Sequence, residues 1–214
     1  MNAFVADLPS LGRGLLTTFG ISALSMLLAV AFGFVAGVLR SIAPRALDLP
    51  LLAVIEFFRG LPLLVLMYFL FFGLPQLGIH TSGNVAAIAA LSLYAGALGS
   101  EIVRGAIVSI PLGQTEAARA LGIGNLATLR LVVIPQALAR MLPPFVALFA
   151  TIVESSSLAA LIGVEDLLQS VRAHVEADSD LKLPLYSTAL VAYFAINYPV
   201  SLASRRLGRK VGTA

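Results

Sequence analysis

The chain has 214 residues, 59% of them apolar and only 12% charged, with a formal charge of +3. Soluble globular chains carry about 25% charged residues, so the composition argues against a soluble domain and for a membrane protein. Cys is absent, which removes disulfides and Cys-bound metal sites. The two His, His80 and His174, are too far apart in sequence to suggest zinc. Trp is also absent, so anchoring at a membrane surface must rest on Tyr, Lys and Arg.

The start, MNAFVADLPSLGRG, places an acid before its first base and has no A-x-A site ahead of the first apolar run. It reads as a short mature N-terminus rather than a secretory signal. A spanning helix takes about 20 mostly apolar residues, and five windows qualify. Window 15–39 is uncharged. Window 49–73 carries Glu56 and Arg59 and is interrupted at RGLP, where Gly60 and Pro62 are expected to break or kink it. Window 85–108 carries Glu101 and Arg104 near its end, window 142–164 holds Glu154, and window 185–203 is the last. The expected fold class is an all-α integral membrane protein with five transmembrane helices, in a single domain covering 1–214.

Lys and Arg in short loops set orientation. One side collects Arg40, Arg45, Arg104, Arg119, Arg130, Arg140, Arg205, Arg206, Arg209 and Lys210. The other collects Arg13, Arg172 and Lys182 with Asp7, Glu165, Asp166, Glu176, Asp178 and Asp180. This predicts the N-terminus outside, the C-terminus cytoplasmic, and segment 109–135 in the cytoplasm.

That segment is polar for its surroundings. Ser109 is placed to cap a helix, with Pro111 in its first turn. Helix formers fill 114–121, and Gly122 is a natural stop that calls for positive φ. Asn125 is placed to cap a second helix, which Pro135 bends or ends. Ala117, Ala118 and Ala120 leave a low surface that another helix or protein can approach. Glu116 and Arg119, at i, i+3, are spaced to pair. The alternative is an ordinary solvated loop. On the other side, VEDLLQSVRAHVEADSD has helical spacing in its first half and an acidic turn in its second. It reads either as an interfacial helix or as a docking surface for an external protein.

Ionisable residues inside a membrane cost at least about 2.5–3.5 kcal/mol on insertion scales and default to functional hypotheses. Glu154 is either a substrate contact or a partner for Arg59. Ser155, Ser156 and Ser157 either bond back to their own helix or line a polar cavity, with lining favoured for one or two of them. Glu56 and Arg59, and again Glu101 and Arg104, have the spacing of local ion pairs. Arg59, beside the Gly60–Pro62 break, is also suited to gate the path or hold a carboxylate. Tyr94 faces the path or packs between helices.

The run EAARALGIGNLATLRLVVIP resembles the EAA signature of permease subunits of binding-protein-dependent ABC importers. Glu116, Ala117, Ala118, Gly122 and Pro135 match that pattern, and Val132 and Ile134 stand in for its usual Ile and Leu as mild departures. IEFFRGLPLL, SEIVRGAIVSIPLGQTEAARALG, VVIPQAL and SSSLAALIGVEDLL resemble the polar amino-acid subfamily in order and spacing, over about residues 14–206. Leu61, Leu66 and the Tyr94–Ala95 pair depart from it. So does Glu154-Ser155-Ser156-Ser157-Leu158, which stands where the subfamily carries Lys-Asp-Thr-Ser-Leu.

The resemblance implies a type I ABC importer permease (MetI-like) fold whose EAA segment is a cytoplasmic coupling helix. Glu116, Ala117, Ala118, Arg119, Gly122, Ile134 and Pro135 would then serve coupling, and Glu154, Ser155, Ser156, Ser157, Arg59 and Tyr94 are the substrate-site candidates. The implied partners are ATP-binding ABC subunits, an identical or similar second permease, an external solute-binding protein, an amino-acid substrate and membrane lipid, with no nucleic acid. The chain is expected to be no enzyme and to need no metal or cofactor of its own. ATP and Mg would be bound by the partner subunit, since GxxxxGK[ST] is absent. The resemblance places the protein in a bacterial inner membrane. A permease for another small amine, such as a quaternary amine, is the alternative substrate class. An intramembrane serine hydrolase is the alternative activity, and it lacks a well-placed base.

Overall fold

A computed structural model describes the backbone of residues 2–212 and the side chains of residues 8–210. Asp7, counted above with the external acids, has its side chain outside the described residues. Among the described residues all regular structure is helical. The helices are α1 (Asn2–Ile42), α2 (Arg45–Gly60), α3 (Leu63–Tyr68), α4 (Gly83–Val108), α5 (Leu112–Ala120), α6 (Asn125–Thr128), α7 (Ile134–Ser156), α8 (Leu167–Ala177) and α9 (Lys182–Gly212).

α1 runs for 41 residues, about 60 Å at 1.5 Å per residue. The predicted window 15–39 lies within its candidate spanning stretch, Leu8–Ile42. α2 follows Pro44, whose ψ of 154° is extended, and carries Asp48 in its first turn, where a negative charge suits the helix dipole. The RGLP break is as expected. Leu61 (ψ 137°) and Pro62 (ψ 126°) are extended, because proline disfavours the helical region for the residue before it. The helical pair Arg45–Gly60 and Leu63–Leu77 bends by 98° there. Ser82 caps α4 by accepting from the Val85 N–H at 3.4 Å.

α4 is the central helix and packs against α1, α2, α3 and α7. Most of its buried positions are small, Ala86, Ala87, Ala90, Ala95, Gly96, Gly99 and Ser100 among them, with Leu91 and Val103 as the bulkier exceptions. α1 lies on it backbone to backbone. A Cβ added at Gly37 would fall 2.5 Å from the Ser100 carbonyl oxygen, and one at Gly33 would fall 2.9 Å from the Gly99 carbonyl carbon. Small residues on both sides permit this approach.

Among the described residues three helical stretches are long and apolar enough to cross a membrane: Leu8–Ile42, Gly83–Val108 and Asn125–Ile162. The bent pair makes a fourth if it is one span. α9, predicted as a fifth, does not meet that measure. Ser187, Thr188, Asn197, Pro199 and Ser201 dilute its apolar content.

Three local expectations are corrected. Ser109 does not cap α5. It sits at the end of α4, where its hydroxyl donates to the Ala106 carbonyl at 2.7 Å, and Pro111 takes the N-cap position. Asn125 is the first residue of α6 rather than its cap, which is Gly124. Pro135 neither ends nor breaks its helix. The preceding turn, Leu129–Val133, widens to π geometry, with the Ile134 N–H bonded to the Leu129 carbonyl, and α7 starts with Pro135 in its first turn. A proline lacks an N–H and crowds the carbonyl four residues back, and the wider turn absorbs both effects.

Asp166 organises one end of the molecule. It is fully buried, and its Oδ1 caps α8 by accepting from the Gln169 N–H at 2.8 Å. Its Oδ2 accepts from the Tyr193 hydroxyl of α9 at 3.3 Å, while Thr18 of α1 accepts from the next N–H, that of Leu167, at 3.1 Å. Burial pushes its carboxyl up from 3.8 to about 6 against the opposing pull of these hydrogen bonds. A carboxyl with a raised pKa holds its proton more tightly in the folded chain. Its contribution therefore favours folding while protonated and fades as pH rises from about 4 through about 6. Asp166→Asn keeps the capping oxygen and abolishes the titration, so thermal unfolding of the purified protein should vary less with pH across that window. Asp166→Ala loses the cap and should cost about 1 kcal/mol. An unchanged pH profile in Asp166→Asn would show that this carboxyl does not titrate there.

Candidate functional site

The EAA run forms α5, a nine-residue helix exposed on one face. Glu116, Ala117, Arg119 and Ala120 are exposed and Ala118 is buried at 4%. The helix closes as a Schellman motif: the Ile123 N–H reaches the Ala118 carbonyl at 3.0 Å and the Gly122 N–H reaches the Arg119 carbonyl at 2.9 Å. Gly122 has φ +78°, the conformation its position called for. Glu116 and Arg119 form no ion pair among the described residues, because two solvated side chains gain little by pairing in water. Ile134 is half-buried and Pro135 exposed at the start of α7.

Two side chains of α7 hold this segment. Arg140 Nη1 donates to the Ser109 carbonyl at 2.6 Å and to its hydroxyl at 2.9 Å. One turn earlier, the Gln136 amide donates to the Gln114 side-chain oxygen at 3.4 Å. The linker into α5 and α5 itself are thereby tied to the helix that carries Glu154 at its other end.

The charged candidates do not form the pair considered from sequence. Arg59 pairs with Glu56, its i, i+3 neighbour, and Glu154 is exposed with no ion pair among the described residues. The nearer partner on the same helix wins. Arg59 Nε is buried and has no hydrogen-bond partner, so the guanidinium keeps a donor unused. It follows Phe58 at the end of α2, beside an apolar cleft of about 390 Å³ in the crook of the bend. Phe58, Leu61, Phe69 and Leu93 are among its walls, and Tyr94 is the next residue along α4. Tyr94 is half-buried, with no hydrogen bond among the described residues.

The serines behave mostly as helix residues. Ser156 is fully buried and donates to the Val153 carbonyl at 2.8 Å, and Ser157 donates to the Glu154 carbonyl at 2.7 Å. Ser155 is half-buried and keeps its hydroxyl uncommitted among the described residues. These back-bonds tighten α7 into the 3-10 turn Ser157–Ile162, which packs on α3 and α4. His174 lies elsewhere, held between Ser10 (3.1 Å) and the Ser170 carbonyl (2.6 Å), so it is no base for these serines.

One hub escaped the sequence reading. Arg40, 9% exposed, donates to Asp48 at 2.9 Å and to Glu101, which also receives Arg104 at 3.1 Å. It joins the ends of α1, α2 and α4, next to the α5 segment. The signal was present in sequence: an arginine closing an uncharged run, with an acid eight residues on.

The profile of the family described as "Binding-protein-dependent transport system inner membrane component" matches residues 8–213. The probable glutamine ABC transporter permease protein GlnP of Bacillus subtilis is 39% identical over 91% of this chain and 90% of its own length. The glutamine transport system permease protein GlnP of Escherichia coli is 32% identical over 95% and 94%. Among solved structures, an amino acid ABC transporter with histidines superposes with TM-score 0.88 at 27% identity, over 97% of this chain and 96% of that one. An inward-facing MetNI methionine ABC transporter superposes at 0.80 with 24% identity, over 95% and 97%, and shares the fold. With its helical frame, its exposed EAA helix and these full-length matches, the chain belongs to the family of binding-protein-dependent transport system inner membrane components.

Proposed function

We propose that this chain is the transmembrane permease subunit of an ATP-driven amino-acid importer. The observation that carries the reading is the likeness to glutamine permeases over about nine-tenths of both chains. A separate ATP-binding subunit hydrolyses ATP, a solute-binding protein outside delivers the substrate, and a second identical or similar permease completes the path. The bent pair and α9 count as spans, giving five, with the N-terminus outside and α5 in the cytoplasm. The asymmetry of Lys and Arg supports that orientation. Exposed single cysteines test it, since the chain has none of its own. Cysteines at Ser82 and Ser179 label in sealed cells, and one at Leu126 labels only after permeabilisation. Labelling of the Leu126 variant from outside would reverse the topology.

α5 is the coupling helix in this reading. Its exposed Ala117 and Ala120 leave a low surface beside Glu116 and Arg119, and Gly122 ends it in a conformation that a side chain strains. Gly122→Val leaves membrane insertion intact, weakens retention of the ATP-binding subunit and lowers binding-protein-stimulated ATP hydrolysis. Wild-type retention and stimulation in that variant would remove the coupling role.

Glu154 and Arg59 are the substrate-site residues, with Ser155 and Tyr94 beside them. An amino acid carries both charges. Glu154 holds its ammonium, and the Arg59 guanidinium, whose Nε has no hydrogen-bond partner, takes its carboxylate. A neutral or cationic amino acid fits better than an acidic one, whose second carboxylate Glu154 repels. Glutamine is the first substrate to try. Losing one charge-assisted hydrogen bond costs about 1.5–3 kcal/mol, roughly one to two decades in affinity. Glu154→Gln therefore assembles, keeps basal ATP hydrolysis and loses transport by about that factor, while the binding protein's own affinity is unchanged. Undiminished uptake by Glu154→Gln would exclude it as a ligand.

A further inference from the structure

Asp180 is the last acidic residue of the chain. Beyond it, the end of α9 carries Arg205, Arg206, Arg209 and Lys210, all exposed. Arg206 makes no ion pair among the described residues. At 3.6 residues per turn, Pro199, Ala203, Arg206 and Lys210 fall along one face of α9, and Arg205 falls on another.

That face continues into an apolar groove of about 460 Å³ between α1, α7 and α9. Its walls include Met26, Leu142, Phe145, Phe149, Val200 and Ala203. Phe149 stands edge-on to Phe19 at 6.4 Å, which bounds the groove at one end. Ser204 donates to the Pro143 carbonyl at 2.8 Å and pins α9 to α7 at the other. Arg206 stands one turn beyond Ala203, so a cation lies at the mouth of an apolar channel.

We propose that this groove binds one anionic phospholipid, its acyl chain between α7 and α9 and its phosphate on Arg206. The apolar walls offer nothing to a polar ligand and suit a hydrocarbon chain. A guanidinium matches phosphate geometry with paired hydrogen bonds. The stretch carries four cationic side chains and no acidic one, so the charge balance favours a net-negative lipid.

The test uses the intact complex in nanodiscs of phosphatidylcholine with a minor fraction of phosphatidylglycerol. Retained lipid is read by native mass spectrometry after transfer to detergent. Wild type retains phosphatidylglycerol in excess of its share. Arg206→Gln lowers that retention about tenfold, as expected for one lost charged contact, and Arg206→Lys restores part of it. Arg205→Gln, off the face, leaves it unchanged. Ala203→Phe fills the groove and lowers retention with every charge intact. If that variant does not assemble, Leu142→Trp fills the groove from the opposite wall. Equal losses in Arg205→Gln and Arg206→Gln would mean a diffuse ionic layer and overturn the site. So would phosphatidylglycerol retention that survives filling of the groove.

Discussion

The contact on which the rest depends is the seam where α1 lies against α4 with almost no side chains between them. Gly33 and Gly37 on one side meet Gly99 and Ser100 on the other, at distances that leave no room for a methyl group. Within a bilayer the hydrophobic effect gives helices no reason to prefer each other over lipid, so close van der Waals packing must supply the attraction. Once α1 covers one face of α4, the opposite faces are left for α2, α3 and α7. The buried face of the central helix can then be built largely from alanine, glycine and serine, with Leu91 and Val103 as its bulky members. Arg40 stands one turn past Gly37, and its bonds to Asp48 and Glu101 lock the end of the same seam.

Two kinds of polar contact divide the work around that frame. Arg40 joins three helices at the end of α1 near the α5 segment, Asp166 joins α8 to α9 at the opposite end with Thr18 of α1 bonded to the neighbouring Leu167, and neither lies at the candidate substrate site. Arg140 does something different. By gripping Ser109 through both its carbonyl and its hydroxyl, it makes the linker into α5 move with α7. Movement imposed on α5 thus has a short mechanical route along one helix to Glu154. The π turn at Leu129–Val133 lies just ahead of that route, where a proline would otherwise break the helix. The bend at Leu61–Pro62 has no such repair, and the helical pair turns there by 98°, whereas Asn125–Ile162 runs on as one helical stretch.

Much of this was legible in sequence. The helical windows, the break at RGLP and the positive φ of Gly122 follow from local rules about apolar length, proline and glycine, and those rules need no tertiary context. What stayed hidden is relational. Ser109 reads as a cap because serine usually caps, but it is claimed by the end of α4 and by Arg140. Pro135 reads as a terminus because the π turn that tolerates it leaves no mark in composition. Glu154 and Arg59 read as partners because both are costly in lipid, yet Glu56 lies one turn from Arg59 and takes it first. The Gly33–Gly37 spacing was visible and carried the central seam, but a small-residue pair becomes meaningful only when its partner helix is known. For the candidate site, the residue types were readable from position in the membrane windows, while the pairing and exposure of each came from packing.

The central claim is that this chain moves an amino acid only as part of an ATP-driven complex. The direct measurement is uptake of labelled glutamine into proteoliposomes holding this chain with its co-purifying ATP-binding subunit, with and without ATP inside and solute-binding protein outside. The account predicts accumulation against a gradient only when ATP and binding protein are both present, and none from the chain alone. Glutamine accumulation by the chain without the ATP-binding subunit would contradict it.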